Sequence, residues 1–223
     1  MSDVTAHAQA YTLLKTAILK GEFRPGDALR EEQLAAAYGV SRTPIRQAMR
    51  QLVSEGLIEI GENKRSHVID IDAATLEQMF DVQAMIESYS AGLAAERMTD
   101  ERLAEIKAIQ SALEADYFGG TAHDDSVYFE HNTRFHTAIH RCNGNPRLYD
   151  IVENLVEVPV AMFIKFGRST NSDVSIDYHR KIIEALELRD ARLTSLLMQT
   201  HIETVRQEYR QLLRQAQAPQ GDA

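Results

Sequence analysis

Six of the eight histidines fall after residue 120: His123, His131, His136, His140, His179 and His201. Neutral imidazole is the commonest protein metal ligand, and its charge changes near neutral pH, so such a concentration raises two chemistries, cation binding and proton exchange. Asn132 and His136 are four residues apart and share one helix face, which His140 extends by another turn. His179 and His201 lie much further along the chain, each inside a helical stretch among apolar neighbours. Imidazoles from three helices converging in a bundle core are a usual way for such folds to hold one ion. Spacing alone leaves the alternative open that each is a hydrogen-bonded core or surface histidine.

A second constellation lies near the N-terminus. Residues 41–50 contain Arg42, Arg46 and Arg50 and no acid, the densest basic patch in the chain. At about 100° per residue, Ile45, Ala48, Met49, Leu52 and Val53 fill one arc of a helix, while Arg42, Thr43, Arg46, Gln47 and Arg50 fill the adjoining arc. One arc can pack while the other faces outward. The guanidinium fork matches guanine O6 and N7 in the major groove as well as phosphate, and a helix entering by its N-terminal end brings Arg42, Thr43 and Arg46 nearest the bases. A solvated helix face with local ion pairs, Glu55 among the partners, accounts for the same arc without DNA.

Both constellations need elements to position them. With 223 residues, 44% hydrophobic and 26% charged, the chain can fill a core and has the length of one large or two smaller domains. The single Cys142 excludes an internal disulfide framework or a Cys-rich zinc module and fits a reducing compartment. No stretch approaches the roughly 18 uninterrupted apolar residues of a membrane span, and Met1 to Ala10 lacks the basic-then-apolar run of a signal peptide. A cytoplasmic protein with no membrane partner is expected. The net charge of −9 argues at first against nucleic acid. Residues 1–72, however, carry nine basic and ten acidic side chains, and the other 151 carry fifteen and twenty-three, so the acidity belongs to the second part.

The patterning divides at the same place. A helix from His7 to Lys20 stops at Gly21; after Pro25-Gly26 come a short helix from Glu31 to Tyr38, a tight turn at Gly39-Val40 and a longer helix with Ser41 as N-cap and Pro44 in its first turn. Leu57 to Ile60 and His67 to Ile71 read as a two-strand ribbon turning near Gly61-Glu62-Asn63-Lys64, a wing whose Lys64, Arg65 and His67 can lie along the DNA backbone or minor groove. From Ala73 onward six helical segments are expected, broken near Thr99-Asp100, Gly119-Gly120, Gly144-Asn145-Pro146, Gly167 to Ser172 and Arg189-Asp190, with Thr99 and Asp190 as N-caps. Leu93, Leu103, Ile106, Ile109 and Leu113, then Ile182, Ile183, Leu186, Leu193, Leu196 and Leu197, recur at core-facing spacings of three and four. The expected fold is mainly α: a winged helix-turn-helix over residues 1–72, an all-helical bundle of about six helices over 73–215, and a disordered tail over 216–223.

The stretch Leu29 to Val68 resembles the winged helix of GntR-type bacterial transcription regulators. The resemblance rests above all on Gly39-Val40-Ser41-Arg42-Thr43-Pro44-Ile45-Arg46-Gln47-Ala48-Met49 with Leu52 and Glu55-Gly56-Leu57-Ile58, because the family hallmark is this Val-Ser-Arg-Thr-Pro-(Val/Ile)-Arg run and a Gly-Leu step into the wing. It implies that Ser41, Arg42, Thr43, Pro44 and Arg46 meet DNA; Arg50 from the same arc and Lys64 and Arg65 from the wing complete the expected interface. Two departures stand out. The wing tip, usually Gly, reads Ser66, and Glu32 stands where some members carry a phosphate-contacting Arg, with Arg30 the nearest replacement.

The second part resembles the FadR C-terminal (FCD) domain found behind this kind of winged helix, and so places the chain with the FadR subfamily, in its six-helix VanR-like group. The resembling residues are Ile86-Glu87 with Ala91 to Arg97, Asn132-x-x-Phe135-His136 before Asn143-Gly144-Asn145, Tyr178-His179-Arg180-x-Ile182, and Asp190 leading to Thr200-His201. Many members bind a divalent metal through an Asp or Asn four residues before a His and through two later histidines, which implies Asn132, His136, His179 and His201 here; His131 and His140 fall outside the ligand positions. Neutral Asn132 in place of the commoner Asp leaves the ion its full charge, which favours an anion such as a carboxylate on it and weakens retention of the metal. Gln83 stands where many relatives carry an Arg that contacts the ligand, so the effector is expected to differ from their simple dicarboxylates or sugar acids. Three imidazoles suit zinc or nickel better than magnesium or calcium.

The resemblance covers nearly the whole chain. It implies a homodimeric DNA-binding transcription regulator of a metabolic operon, most often a repressor, that reads a pseudo-palindromic double-stranded operator and answers a small carboxylate or sugar-acid effector. Two other readings fit parts of the chain. Three histidines with an open metal position are also the pattern of a metal-dependent hydrolase, although neither Glu130 nor Asp124 stands at motif spacing for a general base. A helical interaction module with satisfied core histidines needs no metal at all. The expectation is a regulator, not an enzyme.

Overall fold

A computed structural model describes residues 3–61, 64–70, 72–119, 125–153, 155 and 172–217. These divide into two compact units, one up to residue 70 and one from residue 72.

In the first unit, α1 (Asp3–Leu19) starts four residues earlier than its apolar pattern predicts and buries Ala10, Leu14, Ala17 and Ile18. It packs on α3 (Arg42–Ser54), where Glu55 at the helix end takes Lys15 Nζ and Tyr11 OH at 3.0 Å each. Between them α2 (Glu31–Tyr38) ends at Gly39, whose φ of +65° is the left-handed geometry that turns the chain sharply into α3. Ile45, Ala48, Met49 and Leu52 are buried along α3 as their spacing predicts, and Arg42, Thr43, Arg46, Gln47 and Arg50 are exposed. The wing consists of β2 (Ile58–Ile60) and β3 (Ser66–Val68), paired antiparallel with Glu59 opposite His67. A third strand, β1 (Ala28–Leu29), adds to the free side of β3 and gives the order β1-β3-β2. Two residues are too few for a period-two signal, so only the long-range pairing of Leu29 with Ser66 reveals it. Ser66 therefore lies inside a paired strand, and the left-handed residue at the end of the wing is Lys64, with φ of +59°.

The second unit is helical: α4 (Ala73–Arg97), α5 (Asp100–Gly119), α6 (Asp125–His140), α7 (Pro146–Glu153), α8 (Ser172–Glu187) and α9 (Ala191–Gln217). The breaks at 99, 144–146 and 189–190 fall where the helix-ending residues stand, and α5 is described as far as Gly119, with Gly120 outside the described residues. Asp190 Oδ1 accepts from Leu193 N at 2.9 Å and Thr99 Oγ1 from Arg102 N at 3.3 Å, the two capping roles expected of them. Helix α4 is the hub: it packs along α9 and also meets α6, α7 and α8. Gly92 permits the close approach to α9, because a Cβ there would stand 3.0 Å from Ala191 O.

One stripe differs from its prediction. Leu193 and Leu196 are exposed, at 36% and 58%, because α9 turns Thr194, Met198, His201, Ile202, Val205 and Tyr209 inward instead. That inward face accepts a threonine and a histidine among its apolar residues, so hydrophobicity alone points to the wrong arc. Helix α9 also runs two residues into the segment expected to be disordered; residues 218–223 lie outside the described residues, as do Glu62, Asn63, His123, Asp124 and the break at 167–171. Among the described residues no helix is long and apolar enough to cross a membrane.

Candidate functional site

Three helices of the second unit bring His136 (α6), His179 (α8) and His201 (α9) together in its core, each at most 4% exposed. Their ring centroids are 5.0–5.4 Å apart, and one nitrogen from each lies within 4.8 Å of the others. Phe135 lies 4.0 Å over the His179 ring at 17° and fixes its plane.

The hydrogen-bond partners determine which nitrogen of each ring is free. Glu87 Oε2 lies 2.8 Å from His136 Nδ1 and 3.0 Å from His140 Nε2, and Gln83 Nε2 donates to Glu87 Oε1 at 2.7 Å. Burial alone would raise the Glu87 carboxyl, but the facing imidazoles overcome it and hold this group well below the usual carboxylate range. An ionised carboxylate only accepts, so His136 Nδ1 donates to it, and Nε2 is the ring nitrogen that faces His201. On His179, Nδ1 faces Gln110 Oε1 at 3.0 Å; the Gln110 amide is oriented by its own donation to Glu114 at 2.8 Å, and Arg180 holds Glu114. His179 Nδ1 is therefore the donor, and its buried Nε2 is left without a partner. His201 Nε2 lies 3.3 Å from His136 Nε2 while His201 Nδ1 has no partner. Burial pushes His201 down to about 3 and His179 well below its ordinary value, so both rings are neutral at pH 7.

Two groups of buried side chains have the composition of a cation site, His136–His179–His201 and Glu87–His136–His140. The second is complete without an ion. Asn143 Nδ2 donates to Ser90 Oγ at 2.9 Å, Ser90 Oγ lies 3.0 Å from His140 Nδ1, and His140 Nε2 donates to Glu87. The first instead leaves His179 Nε2 without a partner and sets His201 Nε2 against His136 Nε2 at 3.3 Å, a contact in which one ring nitrogen donates to the lone pair of the other. The 3.3 Å between His136 Nε2 and His201 Nε2 is close to the edge of a tetrahedron with metal–nitrogen distances of about 2.0–2.1 Å. The donor set thus fits a borderline dication.

Asn132, buried one turn before His136, has its Oδ1 3.3 Å from Tyr128 OH, which also lies 2.6 Å from Ser175 Oγ. His131 is taken up by Asp116 at 2.8 Å, and Glu130 is exposed. Sequence spacing missed Glu87 and Gln110 as partners of the converging imidazoles. The available signal was the α4 stripe Gln83, Glu87 and Ser90, polar residues at i, i+4 and i+7 on a face otherwise filled by Phe80, Ala84, Ala91 and Ala94. The carboxylate also revises the charge expected from four neutral ligands, since one negative charge sits a single ring away.

The N-terminal basic residues gather on one face of the first unit. A groove of about 300 Å³ between α3 and the wing is lined by Arg46, Arg50 and Lys64, with Glu31, Met49, Val53, Ile60 and Ser66. Arg46 grips Glu31 through Nε and Nη2 at 2.8–3.1 Å, and Arg42 Nη1 meets Glu32 at 2.9 Å, so the local pairs run to α2 and not to Glu55. The Arg46 guanidinium beside Glu31 lowers the Glu31 carboxyl. Ser41 holds the extended N-cap position of α3 without a side-chain capping bond, Thr43 and Arg65 are exposed, and Pro44 is buried in the first turn.

Comparison with known proteins places both halves. Residues 6–68 match the bacterial regulatory proteins of the gntR family, and residues 78–204 match the FCD domain. The chain is 30% identical over 202 residues to the HTH-type transcriptional repressor GlaR of Escherichia coli (strain K12), covering 87% of this chain and 91% of that protein. It is 25% identical over 206 residues to the probable D-xylose utilization operon transcriptional repressor of Paenarthrobacter nicotinovorans, covering 91% and 88%. Among solved structures, E. coli McbR/YncC shares the fold with a TM-score of 0.74 at 22% identity, over 95% of this chain and 98% of that one. The family and these relatives are regulators, not enzymes, which removes the hydrolase reading. The chain belongs to the GntR family of bacterial DNA-binding transcription regulators, with an FCD effector-binding domain behind its winged helix-turn-helix.

Proposed function

We propose that the chain is a homodimeric repressor of a metabolic operon whose operator affinity is set by a small carboxylate or sugar acid bound at a divalent metal, zinc or nickel. His136, His179 and His201 hold the ion, with Asn132 as a fourth ligand. The observation that carries this reading is the convergence of three buried imidazoles, of which His136 and His179 each have Nδ1 engaged by a buried acceptor, so that Nε2 is the nitrogen left to meet an ion. The bound ion supplies positive charge for an anionic effector; the protein orients the rings and excludes water. Effector control then requires different effector affinities in the DNA-competent and DNA-incompetent dimer arrangements.

For the DNA face, Ser41, Arg42, Thr43, Arg46 and Arg50 of α3, with Lys64 and Arg65 of the wing, are the proposed contacts, and Pro44 shapes the first turn from the buried side. The homodimer is supported by exposed apolar residues on two packed helices: Val82, Met85 and Tyr89 on α4, at 41%, 64% and 60%, and Leu193 and Leu196 on α9. A second copy covers such a surface, and two winged helices suit a palindromic operator. The test is fluorescence anisotropy on an operator selected from random DNA, with carboxylates and sugar acids titrated in the presence of zinc or nickel. An effector that shifts operator affinity for the native protein and not for the His136→Ala/His179→Ala/His201→Ala variant supports the proposal. An equal shift in both contradicts it.

A further inference from the structure

We infer that Glu87 is the positioning residue of the metal centre: it fixes the His136 ring and adds one negative charge to a set of ligands that are all neutral. The inference rests on the metal reading above. Glu87 is fully buried and accepts from three donors on two helices, His136 Nδ1 and His140 Nε2 on α6 and Gln83 Nε2 on its own helix α4. One of those donors is itself held. His140 is bound through Ser90, and Ser90 through Asn143 beyond the end of α6, so the carboxylate cannot swing without breaking a chain of four buried groups.

A purely structural role explains this poorly. Burying a carboxylate is costly, and its described partners include no Lys or Arg to offset it. An apolar residue would fill the α4 core position between Ala84 and Ala91 without that cost. A dication on the far nitrogen of His136 supplies a counter-charge that does not depend on an imidazole being protonated. The Nδ1–H to carboxylate bond also makes Nε2 a better donor and holds the ring at the angle the other two imidazoles require; partners of this kind change metal affinity by roughly 10- to 100-fold. Glutamine keeps the shape and loses the charge: its Oε1 can still accept from the two histidines, while its N–H requires the Gln83 amide to turn its unpartnered Oε1 toward it. Gln110 fixes His179 in the same way but is neutral, so the charge comes from Glu87 alone among the described partners of the three rings.

The test is competition of the full-length protein with a chromophoric chelator for zinc, together with the visible absorption spectrum of the cobalt(II)-loaded protein. Glu87→Gln is expected to weaken zinc at least tenfold and to shift the cobalt bands, and Glu87→Asp, which keeps the charge on a shorter arm, to fall between it and the native protein. Thr194→Ala, which removes a buried hydroxyl of α9 bonded to Asp190 O and outside the chain that holds Glu87, serves as the packing control and is expected to change zinc affinity less than threefold. Native affinity and an unchanged cobalt spectrum in Glu87→Gln overturn the inference while leaving the metal reading intact. If Glu87→Gln does not fold, native zinc affinity and spectrum in Glu87→Asp overturn it equally, and weaker binding there supports it. Absence of zinc and cobalt binding by the native protein overturns the metal reading and the inference with it.

Discussion

The buried imidazoles make the chelator-treated protein acid-sensitive in a calculable way. His201 titrates near 3 in the folded chain and His179 also well below its ordinary value, against about 6.5 for an unfolded histidine. Between those limits the unfolded chain binds more protons, so stability rises with pH; it is complete above about 7 and is lost as pH falls through 6.5 toward 3. From pH 7.5 to 5.5 an unfolded histidine goes from about one tenth to about nine tenths protonated while these two stay neutral, which costs about 1.4 kcal/mol each and about 3 kcal/mol together. For a chain of this length that lowers Tm by roughly 5–11 °C. General charge effects act in the opposite direction, because acid reduces the −9 net charge. The assay is therefore the difference in melting temperature between the two pH values, with chelator, for the native protein and for His179→Gln/His201→Gln. The native protein is expected to lose the larger amount by that margin. Equal pH dependence in the two proteins would refute the reasoning.

Three further outcomes follow from other parts of the molecule. Arg46→Ala removes the central guanidinium of the α3 face and leaves Glu31 unpaired beside the DNA, so operator affinity is expected to fall roughly 5- to 150-fold per half-site, with dimer size unchanged; sequence-specific gel shifts at native affinity would remove Arg46 from the recognition face. Met85→Glu/Leu196→Glu places charge on the exposed apolar surface of α4 and α9 and is expected to give a monomer in analytical ultracentrifugation, whereas an unchanged sedimentation coefficient locates the dimer contact elsewhere. Glu77, drawn down to about 2 chiefly by Arg210 with Arg206 against the opposing effect of burial, ties α4 to α9. Glu77→Gln is expected to cost about 1 kcal/mol and roughly 2–4 °C in Tm, an advantage of the native protein that is present above pH 4.5 and disappears as pH falls toward 2 in chemical denaturation.

Local patterns made much of this legible. The arc of α3, the turn at Gly39 and the caps at Thr99 and Asp190 each depend on residues close in sequence, and they are found where the spacing puts them. The three histidines lie far apart in the chain and were singled out by the family resemblance, spacing alone leaving them open; the fold brings them together. What the spacing did not show depends on distant partners. Strand β1 exists only because Leu29 meets Ser66, the arginine partners Glu31 and Glu32 lie on a different helix, and Glu87 meets His136 across 49 residues of chain. The outward turn of Leu193 and Leu196 has another cause. The buried face of helix α9 carries Thr194 and His201 beside Met198, Ile202, Val205 and Tyr209, so two polar side chains stand on the inward arc and hydrophobic spacing does not find it.

The proposed regulation depends on three imidazoles from three helices holding one divalent ion in the FCD domain. Zinc-edge X-ray absorption of the zinc-loaded full-length protein tests it most directly. The expected spectrum has a nitrogen and oxygen shell at about 2.0–2.1 Å with the outer scattering of three imidazoles, lost when His136, His179 and His201 are replaced by Ala. A shell without imidazole scattering, or the same spectrum from the triple variant, would contradict it.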